Sequence, residues 1–362
     1  MRIIKLLIAW LIVTNPAASQ LSVYPVPDRV KLTDSIDCTQ VKDQGLSPTC
    51  WVFGTNSVME SDLIRLKGIR MNISEMFVAR YAYIDKARQY LATGGKSYFE
   101  GGGQFHDVIR VIRQYGLVPE EVYSGRQGEK FTHDHRLLDT AMKRLVHGWQ
   151  VRGKKSLSDQ DLIQLNDTLD KFLGKVPQQF IWKGKTYTPH SFAREQVNLS
   201  DDYAELVSFS DKPLYRQFVL ADKYNWANDS FWNISLKDMQ EVVDTALARG
   251  WSVGWEGDVT EPGFNYYGGY ASIPDSAFQF DQQRLENYKT EVTERDHMLH
   301  LTATGVDATG KKWYYLKNSW GTWLSRYKGF LFMEENYFRM KTVILFVNKK
   351  ALPESLRKKL KL

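Results

Sequence analysis

The sequence predicts an α+β fold in which a helical part is followed by a strand-rich part. Two observations carry that expectation. Apolar residues recur at helical spacing in three stretches between residues 51 and 116, and strand-like alternation sets in from residue 297 onward. With 362 residues, 43% of them hydrophobic, the chain can bury one large core or two packed lobes.

Residues 1–19 read as a secretory signal. Arg2 and Lys5 give a basic start, Leu6 to Val13 form an apolar centre too short to span a bilayer, and Ala17-Ala18-Ser19 is a small-residue end. The expectation is a secreted or periplasmic protein of bacterial type, with no membrane insertion once the signal is removed. Too few residues lie between this signal and Cys50 for a long pro-segment. The main domain is expected over 20–348, with a tail at 349–362.

Ser47-Pro48 reads as a helix cap and first-turn pair, which sets Cys50 in the first turn of a helix over 51–67. Val52, Phe53, Val58, Met59, Leu63 and Leu66 form its apolar set. Asn72-Ile73-Ser74-Glu75 has the pattern of a cap and opens a second helix through Met76, Phe77, Tyr81 and Ile84. Glu100-Gly101-Gly102-Gly103-Gln104 precedes a third, with Phe105, Val108, Ile109 and Ile112 on one face and Gly116 as its stop. The middle of the chain holds helices at 158–172 and 235–249 and a strand at 251–255. Strands follow at 297–305, 313–317, 329–333 and 342–347, parted by turn signals such as Ala308-Thr309-Gly310.

The net charge of +6 is spread without a dense basic block, which fits a solvated surface and not a nucleic-acid partner. His133-Asp134-His135 reads as loop, and no metal or organic cofactor is expected. The cysteines are Cys38 and Cys50, so the fold must be held by its core and not by a disulfide framework. A bridge between them would consume Cys50, and Cys38 is expected to be structural and reduced.

Cys50 is the candidate nucleophile. A helix start favours a thiolate through its unpaired N–H groups and dipole. Gln44, six residues upstream, can aim an amide donor at an oxyanion. Far downstream stand Asp296-His297-Met298-Leu299 and Lys317-Asn318-Ser319-Trp320-Gly321. A cysteine with a distant histidine and asparagine is a nucleophile, base and orienter pattern. His300 competes with His297 as base, but the two project to opposite faces of a strand.

Gln44 to Trp51, the Asp-His pair and the Asn-Ser-Trp-Gly block resemble the three signature blocks of papain-like cysteine peptidases. Gly102-Gly103-Gln104-Phe105, Thr188-Pro189-His190-Ser191-Phe192 and Ala248-Arg249-Gly250-Trp251-Ser252-Val253 resemble the bleomycin hydrolase and aminopeptidase C branch. Pro48 stands where relatives usually have glycine, Gly54 where serine is common, and Ser47 where many have a disulfide cysteine. The resemblance implies a two-lobed fold, with a helical lobe carrying Cys50 and an antiparallel, barrel-like β lobe carrying His297 and Asn318. Cys50 and His297 lie 247 residues apart, against about 130–150 in papain-type enzymes, so a large insertion is placed at roughly 124–290.

The same resemblance implies a peptide or protein substrate and allows a homo-oligomer. It gives Cys50 and His297 a resting thiolate–imidazolium pair, with a thiol pKa as low as ~4. Gly102 and Gly103 would meet the substrate backbone, and Trp320 would shield the His297–Asn318 bond. The reading is an exported cysteine peptidase, with aminopeptidase action open. A thioester-forming acyl transferase and a silent peptide-binding relative are the alternatives. In that branch the chain's own C-terminus can lie in the cleft, whereas this basic, amphipathic tail reads as a short surface helix beginning near Pro353.

Overall fold

A computed structural model describes residues 24–127, 132–276 and 278–362. The signal-type segment 1–19 lies outside the described residues. The helical lobe comprises α1 (Cys50–Lys67), α2 (Glu75–Ala92), α3 (Phe105–Tyr115), α4 (Arg136–Val151) and α5 (Asp159–Leu173). Local chemistry explains most of their ends. Ser74 Oγ accepts from Phe77 N at 3.1 Å, and Ser158 Oγ accepts from Asp161 N at 3.3 Å. The start of α1 differs from expectation, because Thr49 occupies the cap position and Ser47 Oγ donates instead to the Gln44 carbonyl at 2.6 Å. Pro48 therefore belongs to the preceding loop. Cys50 is still the first residue of the helix.

A short strand, β1 (Lys31–Thr33), precedes this lobe; after α5 come the hairpin β2 (Phe180–Trp182) and β3 (Lys185–Tyr187), and a single turn, α6 (Pro189–Phe192). Then follow β4 (Tyr203–Val207), β5 (Arg216–Val219), β6 (Ser230–Asn233), α7 (Leu236–Ala248), β7 (Val253–Gly257), β8 (Phe264–Asn265), β9 (Tyr270–Ala271) and α8 (Phe280–Lys289). The C-terminal part adds β10 (His297–Val306), β11 (Lys312–Lys317), β12 (Phe330–Glu334), α9 (Glu335–Lys341), β13 (Thr342–Asn348) and α10 (Glu354–Leu360).

Among the described residues an 11-stranded sheet runs β5-β6-β4-β13-β7-β10-β11-β12-β9-β8, with β1 added on β10. Its pairings are antiparallel except β4 with β6 and β9 with β12. The middle segment thus extends the sheet through β13 and wedges β7 between β13 and β10.

Alternation along the strands feeds two cores. Met298, Ile344 and Phe346 join the helical lobe, while Leu299, Leu301, Leu345 and Val347 face α7, α9 and α10. Every residue of α1 from Trp51 to Leu63 is buried, as a helix packed between lobes must be. α10 starts after Pro353 and buries Leu356 and Leu360 in the second core, with Lys359 reaching Tyr215 and Arg249 donating to the Leu352 carbonyl. Buried His133 and His135 brace the loop before Cys50, since Leu46 N donates to the His133 carbonyl at 2.8 Å and His135 N to that of Leu46 at 3.0 Å. Among the described residues no helix is long and apolar enough to cross a membrane.

Candidate active site

Cys50, Gly54 and Ser57 fall at i, i+4 and i+7 on α1 and form the stripe that meets β10. Gly54 permits the close approach, since a Cβ there would lie 3.2 Å from the Met298 Cβ. One turn further on, Ser57 Oγ hydrogen-bonds His300 Nδ1 at 2.8 Å. At the other end the Met298 backbone N–H points at the Cys50 sulfur. The first residue of α1 and the first residues of β10 therefore meet across the lobe boundary. Cys50 keeps partial solvent access.

His297 Nε2 lies 2.7 Å from Asn318 Oδ1, which also accepts the Ser319 N–H at 2.7 Å. An oxygen that already accepts can only accept again, so Nε2 carries the proton and Nδ1 is left for chemistry. Trp320 lies against the imidazole with ring centroids 4.4 Å apart. Ser319 in turn positions Gln44, its Oγ donating to Gln44 Oε1 at 2.7 Å and its carbonyl accepting from Gln44 N at 2.8 Å. Gln44 Nε2 donates to the Ser47 carbonyl at 2.8 Å, which leaves its second N–H for another acceptor. Ser319 has no role assigned from the sequence; its backbone N–H and its hydroxyl together link the asparagine to the amide.

Burial pushes the Cys50 thiol up to about 12, against the pull of the Met298 N–H, and the Glu256 carboxylate pushes the same way as burial. Burial likewise brings His297 down to about 4, with the Asn318 hydrogen bond opposing it. Both shifts favour the neutral thiol and imidazole, opposite to the resting ion pair suggested by the sequence. The reason is that the helix start at Cys50 lies at the boundary between the lobes with only partial solvent access. Cys38 is also a free thiol, and burial raises it as well.

The competing histidine turns away from this site. His300 is buried among Ser57 and Lys317, and burial, reinforced by Lys317, holds it uncharged. Internal packing accounts for the glycine run. The Trp51 indole donates to the Gly101 carbonyl at 2.9 Å, and a Cβ on Gly103 would lie 2.8 Å from that indole.

Sequence reasoning missed a buried ionic cluster beneath the cleft. Glu256 on β7 pairs with Arg295 at 3.2 Å, and Arg295 pairs with Asp222 at 2.6 Å. The Gln104 amide, oriented to satisfy both ends, donates to Glu256 at 3.0 Å and accepts from Arg295 at 2.6 Å. Burial raises Glu256 to about 8, although Arg295 opposes it. These residues carry no spacing signal, because they come from separate elements.

Residues 28–362 match the sequence model of the Peptidase C1-like family. Among curated proteins the chain is similar to aminopeptidase W of Lactobacillus delbrueckii subsp. lactis, with 24% identity covering 94% of this chain and 86% of that protein. It is also similar to mouse (Mus musculus) bleomycin hydrolase, at 22% identity covering 87% of this chain and 81% of that one. A crystal structure of PepW from Lactobacillus rhamnosis HN001 shares the fold, with a TM-score of 0.71 and 18% identity over 91% of this chain and 84% of that one.

Proposed function

Because the chain belongs to the Peptidase C1-like family, in the aminopeptidase C and bleomycin hydrolase branch, we propose that it is an exported cysteine peptidase that trims peptides from their amino end. The observation that carries the reading is the train Gln44–Ser319–Asn318–His297, which holds an amide donor and an oriented imidazole beside the first residue of α1.

Cys50 Sγ attacks the carbonyl carbon of the scissile amide while its proton passes to His297 Nδ1. The carbonyl oxygen becomes an oxyanion held by the free N–H of Gln44 and the backbone N–H of Cys50, and loss of one such donor typically costs ~3–4 kcal/mol. His297 returns the proton to the departing amine, the C–N bond breaks and a thioester remains. Water, deprotonated by His297, then attacks the thioester and releases the acid and the thiol. The Asn318 oxygen holds the ring throughout, and Trp320 covers that hydrogen bond. Export rests on the signal pattern of residues 1–19.

The test is hydrolysis of a peptide library read by mass spectrometry, with Cys50→Ala, His297→Ala and His300→Ala beside the native protein. The proposal expects stepwise loss of N-terminal residues, abolished in the first two variants and retained in the third. Full activity in Cys50→Ala refutes it. Products formed only when an amine is added would instead assign an acyl transferase.

A further inference from the structure

The segment 222–226 comes from the middle of the chain and binds both walls of the cleft. Asp222 Oδ1 accepts from Arg295 Nη2 at 2.6 Å, two residues before His297 on the β side. It also accepts the Tyr224 N–H at 2.7 Å, which fixes the turn. Trp226 Nε1 donates to Asp107 Oδ2 on α3 at 2.9 Å, and the Arg110 guanidinium lies 4.8 Å above the Trp226 ring. The segment is a strap anchored at both ends.

Between those anchors Tyr224 lies on the glycine run beside Cys50. A Cβ placed on Gly102 would be 2.9 Å from the Tyr224 ring, and Tyr98 meets that ring edge-on at 5.2 Å. The Gly102 backbone is also already engaged. Its carbonyl accepts from the buried Lys86 ammonium, and its N–H points at the Tyr98 hydroxyl. Lys86 is fixed further by the Glu100 carbonyl at 2.8 Å. An extended substrate that paired with Gly102 would need a free N–H and C=O there and an open face above them. The structure offers neither. Tyr224 also lines a cavity of about 510 Å³ with Asp222, Tyr288, Thr293 and Arg295. The Tyr224 phenol is also within electrostatic reach of the Cys50 thiol.

We propose that Tyr224, propped by Tyr98 and held by the Asp222–Arg295 and Trp226–Asp107 anchors, closes the acyl side of the cleft at Gly102 and sets how many residues can precede the bond that is cut. The inference rests on the peptidase reading for its substrate, but its geometry can be tested through Cys50 alone. Substrates are thereby limited to peptides whose free amino end lies close to the scissile bond, and longer or blocked acyl segments meet the tyrosine ring.

The experiment measures the rate of Cys50 alkylation by peptidyl chloromethyl ketones with one, two or three residues before the reactive carbon, each free and N-acetylated, by mass spectrometry of the intact protein. Tyr224→Gly and Tyr224→Phe are compared with the native chain, and each rate is divided by that of iodoacetamide on the same variant. The native protein is expected to favour the one-residue over the acetylated three-residue reagent by ~100-fold, and Tyr224→Gly to shrink that ratio by at least ~10-fold, while Tyr224→Phe keeps it. Equal rates for short and long reagents on the native protein overturn the inference. So does a ratio unchanged in Tyr224→Gly with native-like circular dichroism. If Tyr224→Gly does not fold, the native ratio and the Tyr98→Ala variant, expected to shift it in the same direction, still decide. Selective labelling without peptide hydrolysis would sink the peptidase reading and leave Tyr224 as the gate of a binding cleft; failure of even iodoacetamide to reach Cys50 sinks both.

Discussion

Replacing Asn318 by alanine removes one oxygen that two buried donors share. His297 Nε2 and the Ser319 N–H both lie 2.7 Å from it, and both residues are buried. Each orphaned donor costs ~1–3 kcal/mol, so Asn318→Ala should lower stability by ~2–4 kcal/mol in urea unfolding, a large share of the 5–15 kcal/mol typical of a domain. Catalysis should suffer as well, because Ser319 also holds Gln44 through contacts of 2.7 and 2.8 Å, and the oxyanion donor loosens together with the base. A ~100-fold fall in kcat at nearly constant KM, equal to ~2.7 kcal/mol, is expected with a fluorogenic aminoacyl amide. Asn318→Asp keeps the accepting oxygen and should recover most of the stability, while its charge raises the imidazole, which burial brings down to about 4. The double variant Asn318→Ala/Gln44→Ala should be less impaired than the two losses multiplied, since both act through Ser319. A kcat within twofold of native in Asn318→Ala, at a temperature where the variant is folded, refutes the reasoning.

The Cys50 pair predicts a pH profile: with the thiol raised to about 12 and His297 lowered to about 4, alkylation by iodoacetamide should climb steadily above pH 7, whereas a plateau from about pH 4 upward would establish a resting ion pair instead. His106 behaves in the opposite sense to His297. Burial opposes its charge, but Glu205 at 3.0 Å, with Asp107 and Asp229, outweighs burial and raises it to about 9. Its folded-state pKa exceeds the unfolded value, so its stabilisation, ~3 kcal/mol at most, is complete below about pH 6.5 and is lost as pH rises through about 9. Unfolding midpoints measured across that window should fall in the native protein and flatten in His106→Gln. Gly103→Ala should lose ~1–3 kcal/mol in thermal unfolding, because its new methyl would sit 2.8 Å from the Trp51 indole; an unchanged melting temperature would show that the indole yields freely.

What could be read from the sequence was whatever periodicity or a short motif encodes locally. The four C-terminal strands appear within a residue of their expected ends, because β10 and β13 alternate between two cores, β11 and β12 send every second residue into the second core, and a one-residue slip would invert every side chain. The helices at α5 and α7 were legible for a similar reason, with serines 158 and 235 capping them directly. Cys50, His297, Asn318 and Gln44 were legible as types at a recognisable spacing; the structure joins Gln44, Asn318 and His297 through Ser319 and sets Cys50 against Met298, the neighbour of His297. The burial that opposes charge on the pair was not, since a helix start argues for a thiolate only until one knows how deeply the helix is packed. The α1 cap was misread by two residues because Ser47, Pro48 and Thr49 are all plausible starts, and what separates them is the pull of the Gln44 carbonyl on Ser47 Oγ.

The middle segment shows where sequence reading stops and why that limit falls on specificity. Its helices announce themselves, but Asp222, Tyr224 and Trp226 lie in a turn with no repeating pattern, and their partners are 73, 122 and 119 residues away in the chain. Contacts of that kind exist only once β4 has joined β13 and β7 has been inserted beside β10, which brings the segment over the glycine run. Cys50 and His297 need only be placed at one end of the contact between α1 and β10, so they can be carried by motifs. The shape of the acyl side depends instead on how the whole sheet is completed. If Tyr224 acts as proposed, two chains with the same four catalytic groups can differ in what they cut through a single aromatic residue in this strap, and substrate length would then be assigned from Tyr224 and Gly102 and not from the catalytic blocks.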